Sequence, residues 1–332
     1  MSLADRIATP SPLLKLPIPP TGRATLASMG IEEGEAWTAE GVRIHYLTVP
    51  VRAFDVDARY QRDAEGYLLH WNLSVVQDEP PPSTRGTIVY LHGWGNDGSM
   101  MLPWATALAR QGYRGILPDL RHHGRSDEAP PGFGPREARD ILQLLPGWRE
   151  QGLVEGPVYL FGLSYGAATA IFMAAQADEA GTGQPTALIA IAPFDNAATA
   201  IERFARELLD GDALPWFVRR HHGMDELPDA IAEAGRKLDV DLASIDASQA
   251  AAATSTCMLL VEGGRDRLVP AGSARRIADA APHARQVTLP LETHMTAGLR
   301  LDWLAVPFGE WLQEVADTAG CPAIDLPPDP AD

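Results

Sequence analysis

Gly162-Leu163-Ser164-Tyr165-Gly166 is the segment of this chain best suited to chemistry. It reads G-x-S-x-G, follows the apolar run VYLF and precedes the small-residue run AATAIFMAA, so strand, sharp turn and helix are expected in that order. Such a turn lifts Ser164 above a sheet on unfavourable backbone angles. Glycines at 162 and 166 remove side chains where strand and helix would otherwise collide. The bare pattern also occurs in ordinary glycine-rich turns; the flanking strand and helix set this one apart. A serine hydroxyl is a weak nucleophile at neutral pH and needs a base, usually a histidine held by a carboxylate.

Nine histidines compete to be that base. His294, in LPLETHMTAG, follows the last strand-like run and precedes the last long helical one, which places it at the same sheet edge as Ser164. His283 precedes that run and belongs at the opposite edge. His45 and His70 fall within early strands, and His221 and His222 within an inserted segment. For the carboxylate, CMLLVEGGRDRLVP offers Asp266 just beyond the strand-like run Thr256–Glu262, in the chain order Ser, Asp, His; Glu262 and Asp195 are the alternatives. Attack on a carbonyl creates an oxyanion that needs two N–H donors. The amide of Tyr165 is one candidate. The other is the main chain of Trp94 in His92-Gly93-Trp94-Gly95-Asn96, whose indole is also a candidate wall for an acyl pocket. His92, beside a loop glycine, is expected to be a structural hydrogen-bonder.

The elements that must position these groups are legible in outline. Strand-like runs fall at Val42–Val51, Leu68–Val76, Thr87–Leu91, Gly115–Asp119, Pro157–Leu163, Ala187–Ala192, Thr256–Glu262 and Arg285–Leu289. The first two alternate in polarity, as antiparallel strands with one wet face do; the later ones are continuously apolar, which suits parallel strands covered on both faces. Helical stretches lie at Ser99–Gln111, Glu137–Gln151, Tyr165–Ala177, Gly272–Ala280 and Leu299–Ala316. The alternation predicts an α/β fold with a mainly parallel central sheet of about eight strands flanked by helices. One interval breaks it. Between Ala192 and Thr256 the apolar spacing of Ile201, Phe204, Ala205, Leu208 and Leu209 predicts an amphipathic helix, with LPDAIAEAGRKL as a second. We expect an N-terminal arm at 1–40, a core at 41–193 and 256–317, a helical cap at 194–255, and an acidic, proline-rich, solvated tail at 318–332.

Taken together, HGWG, GLSYG, GGRDRLVP and THMT resemble the α/β-hydrolase fold superfamily, in particular its capped serine esterase, lysophospholipase and aminopeptidase-like members. The likeness runs from about residue 87 to 315. It implies a Ser164–His294–Asp266 triad, an oxyanion hole from Trp94 and Tyr165, and no cofactor. Relatives commonly read D-x-R-G-H-G-x-S where this chain has Asp119-Leu120-Arg121-His122-His123-Gly124-Arg125-Ser126, so His122 stands in place of a glycine. His122 and His123 are expected to be loop scaffold, and no ligand spacing supports a metal.

Composition narrows the rest. With 27 Lys and Arg against 44 Asp and Glu the net charge is −17, which repels polyanions and disfavours nucleic acid. No run of about 18 apolar residues is present to span a membrane. The N-terminal MSLADRIATPSPLLKLPIPP holds no apolar run long enough for a signal h-region, so a cytoplasmic address is expected. Two cysteines, Cys257 and Cys321, cannot make a disulfide framework, and free thiols are expected. The nucleophile is a serine, where dehalogenase and epoxide hydrolase relatives use aspartate. Phe194, Trp216 and Phe217, with Phe204, Leu208 and Leu214, suit an uncharged small-to-medium acyl or aryl ester. Glu202, Glu207, Asp210 and Asp212 keep an aminopeptidase open as an alternative. A cofactor-free perhydrolase and a non-catalytic binding protein on the same fold stay open too. The oligomeric state is not legible.

Overall fold

The computed structural model describes residues 2–10, 23–62, 67–210 and 226–330. From the N-terminus, α1 (Leu3–Ala8), α2 (Arg23–Ser28), β1 (Glu32–Trp37) and β2 (Arg43–Val49) precede a hairpin of β3 (Phe54–Arg62) and β4 (Tyr67–Val75). Strands and helices then alternate: β5 (Gly86–Leu91), α3 (Leu102–Ala109), β6 (Tyr113–Pro118), α4 (Pro135–Glu150), β7 (Val158–Leu163), α5 (Tyr165–Gln176) and β8 (Ala187–Ile191). Helices α6 (Ala197–Asp210), α7 (Leu227–Leu238) and α8 (Ala247–Ala252) interrupt them. The chain resumes with β9 (Cys257–Gly263), α9 (Ser273–Ala280), β10 (Ala284–Leu289), α10 (His294–Ala297) and α11 (Leu301–Thr318).

Among the described residues the central sheet has eight strands in the order β1-β2-β6-β5-β7-β8-β9-β10. β1 and β2 run antiparallel to their neighbours and the other strands are parallel. The continuously apolar runs are explained by burial of both faces. Tyr159, Phe161 and Leu163 of β7 point into one core layer with α3 and α11, while Leu160 points into the other with α4, α5 and α9. From β5 the chain steps to β6 on one side and then to β7 on the other. The loops after β5 and β7 therefore diverge to opposite faces and leave a crevice at the C-terminal edge of the sheet, where α/β proteins bind ligands.

Four features depart from the sequence expectation. Leu68–Val76 corresponds to β4, which pairs with β3 in a separate hairpin and not in the central sheet. Within the expected arm, Glu32–Trp37 is the sheet's edge strand, and α1 packs on α7 with Asp5 paired to Lys237. The cysteines are not free thiols: Cys257 and Cys321 form a disulfide, because the sheet face carrying Cys257 is the one the tail crosses. The tail itself is extended but docked. Ile324 and Leu326 pack on the core, and the indoles of Trp311 and Trp303 donate to the carbonyls of Pro322 and Pro327. The expected cap begins at a pinched base, where Ala197 N–H donates to Ile245 O and Ala247 N–H to Asp195 O. Its last helix, α8, lies against α5 and α9.

Candidate active site

Ser164 sits between β7 and α5 at φ 51° and ψ −108°, a conformation rarely adopted by side-chain-bearing residues. The flanking glycines make the turn feasible. A Cβ at Gly162 would lie 2.2 Å from Gly166 O, and one at Gly166 would lie 2.0 Å from Leu91 O. Ser164 N–H donates to Ile191 O at 2.8 Å, which ties the turn to the end of β8.

The two partners expected from the sequence meet the serine. His294 Nε2 lies 2.8 Å from Ser164 Oγ, and His294 Nδ1 lies 2.7 Å from Asp266 Oδ2. The other carboxylate oxygen, Oδ1, accepts the backbone N–H groups of Leu268 and Val269 at 2.8 and 3.1 Å. An ionised carboxylate only accepts, so Nδ1 carries the imidazole proton and Nε2 is left to accept from the serine. His294 is the first residue of α10 and is fixed there by reciprocal capping between Thr293 and Thr296. The alternative acids are engaged elsewhere. Glu262 accepts from Gln286 and Thr288, and Asp195 accepts from Ser273 and Arg276. Burial works to raise the Asp195 carboxyl, but hydrogen bonds from Arg276 and Ser273 outweigh it and hold it below the usual range.

Beside the serine runs the loop after β5. A Cβ at Gly93 would stand 3.9 Å from Ser164 Cβ, so this backbone passes within van der Waals reach of the Ser164 turn. Tyr165 opens α5, where first-turn N–H groups have no intrahelical acceptor. Its side chain is buried, the hydroxyl accepting from Phe133 N–H at 3.3 Å. Trp94 lies between these elements. Its indole stacks on Phe133 and contacts Tyr165 and His123, so it packs the loop in place. His92 fastens the same loop from beneath. Its Nε2 accepts Leu120 N–H at 3.0 Å, which assigns the proton to Nδ1 and lets it donate to Gly93 O at 2.9 Å. Protonation would break the bond to Leu120, and burial pushes His92 below the usual histidine range.

The next loop is built on Asp119, whose carboxylate accepts from Gly98 N–H, Arg125 N–H and His45 Nδ1 at 2.7, 2.8 and 2.9 Å. His122 adopts φ 64°, the left-handed conformation that suits the glycine of relatives. His123 Nδ1 donates to Arg121 O at 2.8 Å, and burial, reinforced by His92, pushes this histidine down to about 3. Arg121, equally buried, grips Asp140 with two hydrogen bonds of 2.7 and 2.6 Å.

Of the expected pocket residues, Phe194 is buried in the core layer that holds Tyr165 and Ala197. Trp216 and Phe217 lie outside the described residues, as do Asp212, Leu214, His221 and His222 and the side chains of Leu208 and Asp210. Glu202 and Glu207 of α6 are paired with Arg206 and Arg267. Among the described residues no cluster of three or more His, Cys, Asp or Glu side chains is placed to hold a metal ion. Nor is any described helix long and apolar enough to cross a membrane. Missed from the sequence was the buried cluster of Glu292, Arg300 and Asp329 behind His294. Its members come from separate segments, so no local spacing marks it.

Comparison with known proteins places the chain. Residues 88–316 match the sequence model described as "Alpha/beta hydrolase family". The chain belongs to this family. No curated protein matches the sequence. Solved structures share the fold at low identity. An esterase of Pyrococcus furiosus is 15% identical and aligns over 93% of this chain and 96% of its own, with a TM-score of 0.57. A thermophilic esterase of Thermogutta terrifontis is 19% identical over 86% of this chain and 99% of its own, at 0.52. An enol-lactonase of Burkholderia xenovorans is 19% identical over 86% of this chain and 100% of its own, at 0.51.

Proposed function

We propose that this alpha/beta hydrolase is a serine-dependent carboxylic ester hydrolase acting on uncharged small-to-medium acyl or aryl esters. The observation that carries the proposal is the unbroken hydrogen-bonded line from Ser164 Oγ through His294 to Asp266. His294 Nε2 takes the serine proton as Oγ attacks the ester carbonyl. The resulting oxyanion accepts from the amides of Tyr165 and Trp94, the former at the positive end of α5. His294 then returns the proton to the leaving alcohol, and the acyl-serine forms. A water that gives its proton to the same nitrogen attacks the acyl carbonyl, and the acid leaves as His294 returns that proton to Ser164 Oγ. Asp266 keeps Nδ1 protonated throughout and balances the transient imidazolium.

Two further observations favour esters. The described carboxylates of α6, Glu202 and Glu207, are already paired with arginines, which weakens a subsite for a substrate amine. The solved neighbours named as esterases, and one named as an enol-lactonase, act by their names on this bond class, a lactone being a cyclic ester. The test is hydrolysis of p-nitrophenyl esters from acetate to palmitate, with amino-acid p-nitroanilides alongside. Ester turnover should fall on the order of 10⁴-fold or more in Ser164→Ala, and the chain-length optimum sizes the acyl site. Cleavage of anilides in preference to esters would move the assignment to a peptidase. A wild-type serine that no fluorophosphonate labels would move it to a binding protein.

A further inference from the structure

We propose that the tail after α11 is a positioning strap for the acid–base pair: Asp329, acting through Arg300 and Glu292, holds the loop bearing His294 against the loop bearing Asp266. The proposal rests on the triad assigned above.

Arg300 is completely buried. Its guanidinium donates to Glu292 Oε1 at 2.7 Å and to Asp302 Oδ1 at 3.1 Å, and makes a two-oxygen contact with Asp329. It also lies over the ring of Tyr60, whose hydroxyl donates to Glu292 Oε2 at 3.2 Å. Glu292 is the junction. It stands two residues before His294, and its backbone carbonyl accepts the N–H of Arg265, the neighbour of Asp266, at 2.8 Å. The two loops are in direct contact here, since a Cβ at Gly263 would lie 2.5 Å from Glu292 O and 2.8 Å from Thr293 O. Any shift of Glu292 thus moves both partners of the 2.7 Å His294–Asp266 bond.

Asp329 reaches this cluster because the strap is fastened along its length. Cys321 is bonded to Cys257 in β9, the strand that runs into the Asp266 loop, and Pro327 O accepts from Trp303. A tail that served only to cover apolar surface would need no carboxylate in a buried cluster, where unpaired charge is costly. Without Asp329 the arginine keeps Glu292 and Asp302 but loses the contact that fixes its outer edge. An ångström of error in a catalytic group costs up to about 100-fold in rate.

The experiment compares Asp329→Ala and the isosteric Asp329→Asn with Trp311→Phe, which removes a strap bond to Pro322 remote from Arg300. Each is assayed with p-nitrophenyl butyrate and a fluorophosphonate, with thermal melts for folding. Both Asp329 variants should lose about tenfold in kcat with KM within about twofold, and the far-downfield proton resonance of His294 Nδ1–H should weaken. Trp311→Phe should melt earlier with kcat and that resonance unchanged. Asp329 variants that melt earlier but keep wild-type kcat and resonance would overturn the proposal and leave the strap a stabilising cover. Should the wild-type serine resist the phosphonate, the ester-hydrolase assignment fails first. In that event an unchanged resonance in the Asp329 variants would still reject the strap.

Discussion

Ser164 is held at backbone angles that cost of order 1–3 kcal/mol, and it keeps them because Gly162, Gly166 and the bond to Ile191 O leave the turn no easier course. His122 poses the same problem away from the chemistry. At φ 64° its Cβ is crowded as any non-glycine residue is in the left-handed region, and its ring returns only a 3.2 Å hydrogen bond to Ala129 O. Replacing it separates the two effects. His122→Ala loses the bond and keeps the strain, whereas His122→Gly loses both. The glycine variant should therefore be more stable than the alanine variant by about 1 kcal/mol in urea unfolding, somewhat offset by glycine's greater freedom when unfolded. Equal midpoints for the two variants would mean that strain does not set this loop's stability.

At the scale of elements, the loops after β5 and β6 are locked together through His92 and His123, and both locks require neutral imidazoles. His92 needs a bare Nε2 to accept from Leu120, and His123 is enclosed by Trp94, Tyr165 and His92. Burial depresses both, so the unfolded chain binds protons that the native state refuses. Stability then declines as pH falls below the ordinary value of 6.5, and for His123 the decline continues to about 3, where the folded form protonates too. Each such histidine contributes a slope of up to about 1.4 kcal/mol per pH unit. His123→Asn, which keeps a donor for Arg121 O, should flatten the unfolding free energy between about pH 6 and pH 4 by that amount. An unaltered slope would show that the folded protein already accommodates the proton. These locks were only half legible in sequence. The G-x-S-x-G turn and the parallel strands were visible because burial on both faces leaves unbroken apolar runs. β3 was not, since FDVDARYQR is half polar and covers α3 and α11 with only Phe54, Val56 and Ala58. The Glu292–Arg300–Asp329 cluster left no local pattern at all.

The whole molecule is closed by its tail. Proline and aspartate gave that segment the composition of a solvated extension, yet its carbonyls meet two tryptophan indoles and its cysteine pairs with the sheet. The disulfide also bears on where the protein resides. Such bonds persist in oxidising surroundings and are rare in reducing ones, which stands against the cytoplasmic address expected from the N-terminal sequence. Its energetic role follows from topology. Cys257 and Cys321 are 64 residues apart, and the crosslink excludes from the unfolded ensemble every conformation in which the start of β9 and the segment just after α11 separate. For a loop of this size chain entropy alone gives roughly 4 kcal/mol, with measured effects more often 2–4. Dithiothreitol should therefore lower the unfolding free energy by about 2–4 kcal/mol and shift the urea midpoint downward, and Cys321→Ser should reproduce the reduced protein without reductant. Thiol titration of the unreduced, denatured chain provides the independent check. It should find no free thiol before reduction and two after; two from the outset would rule out the bond.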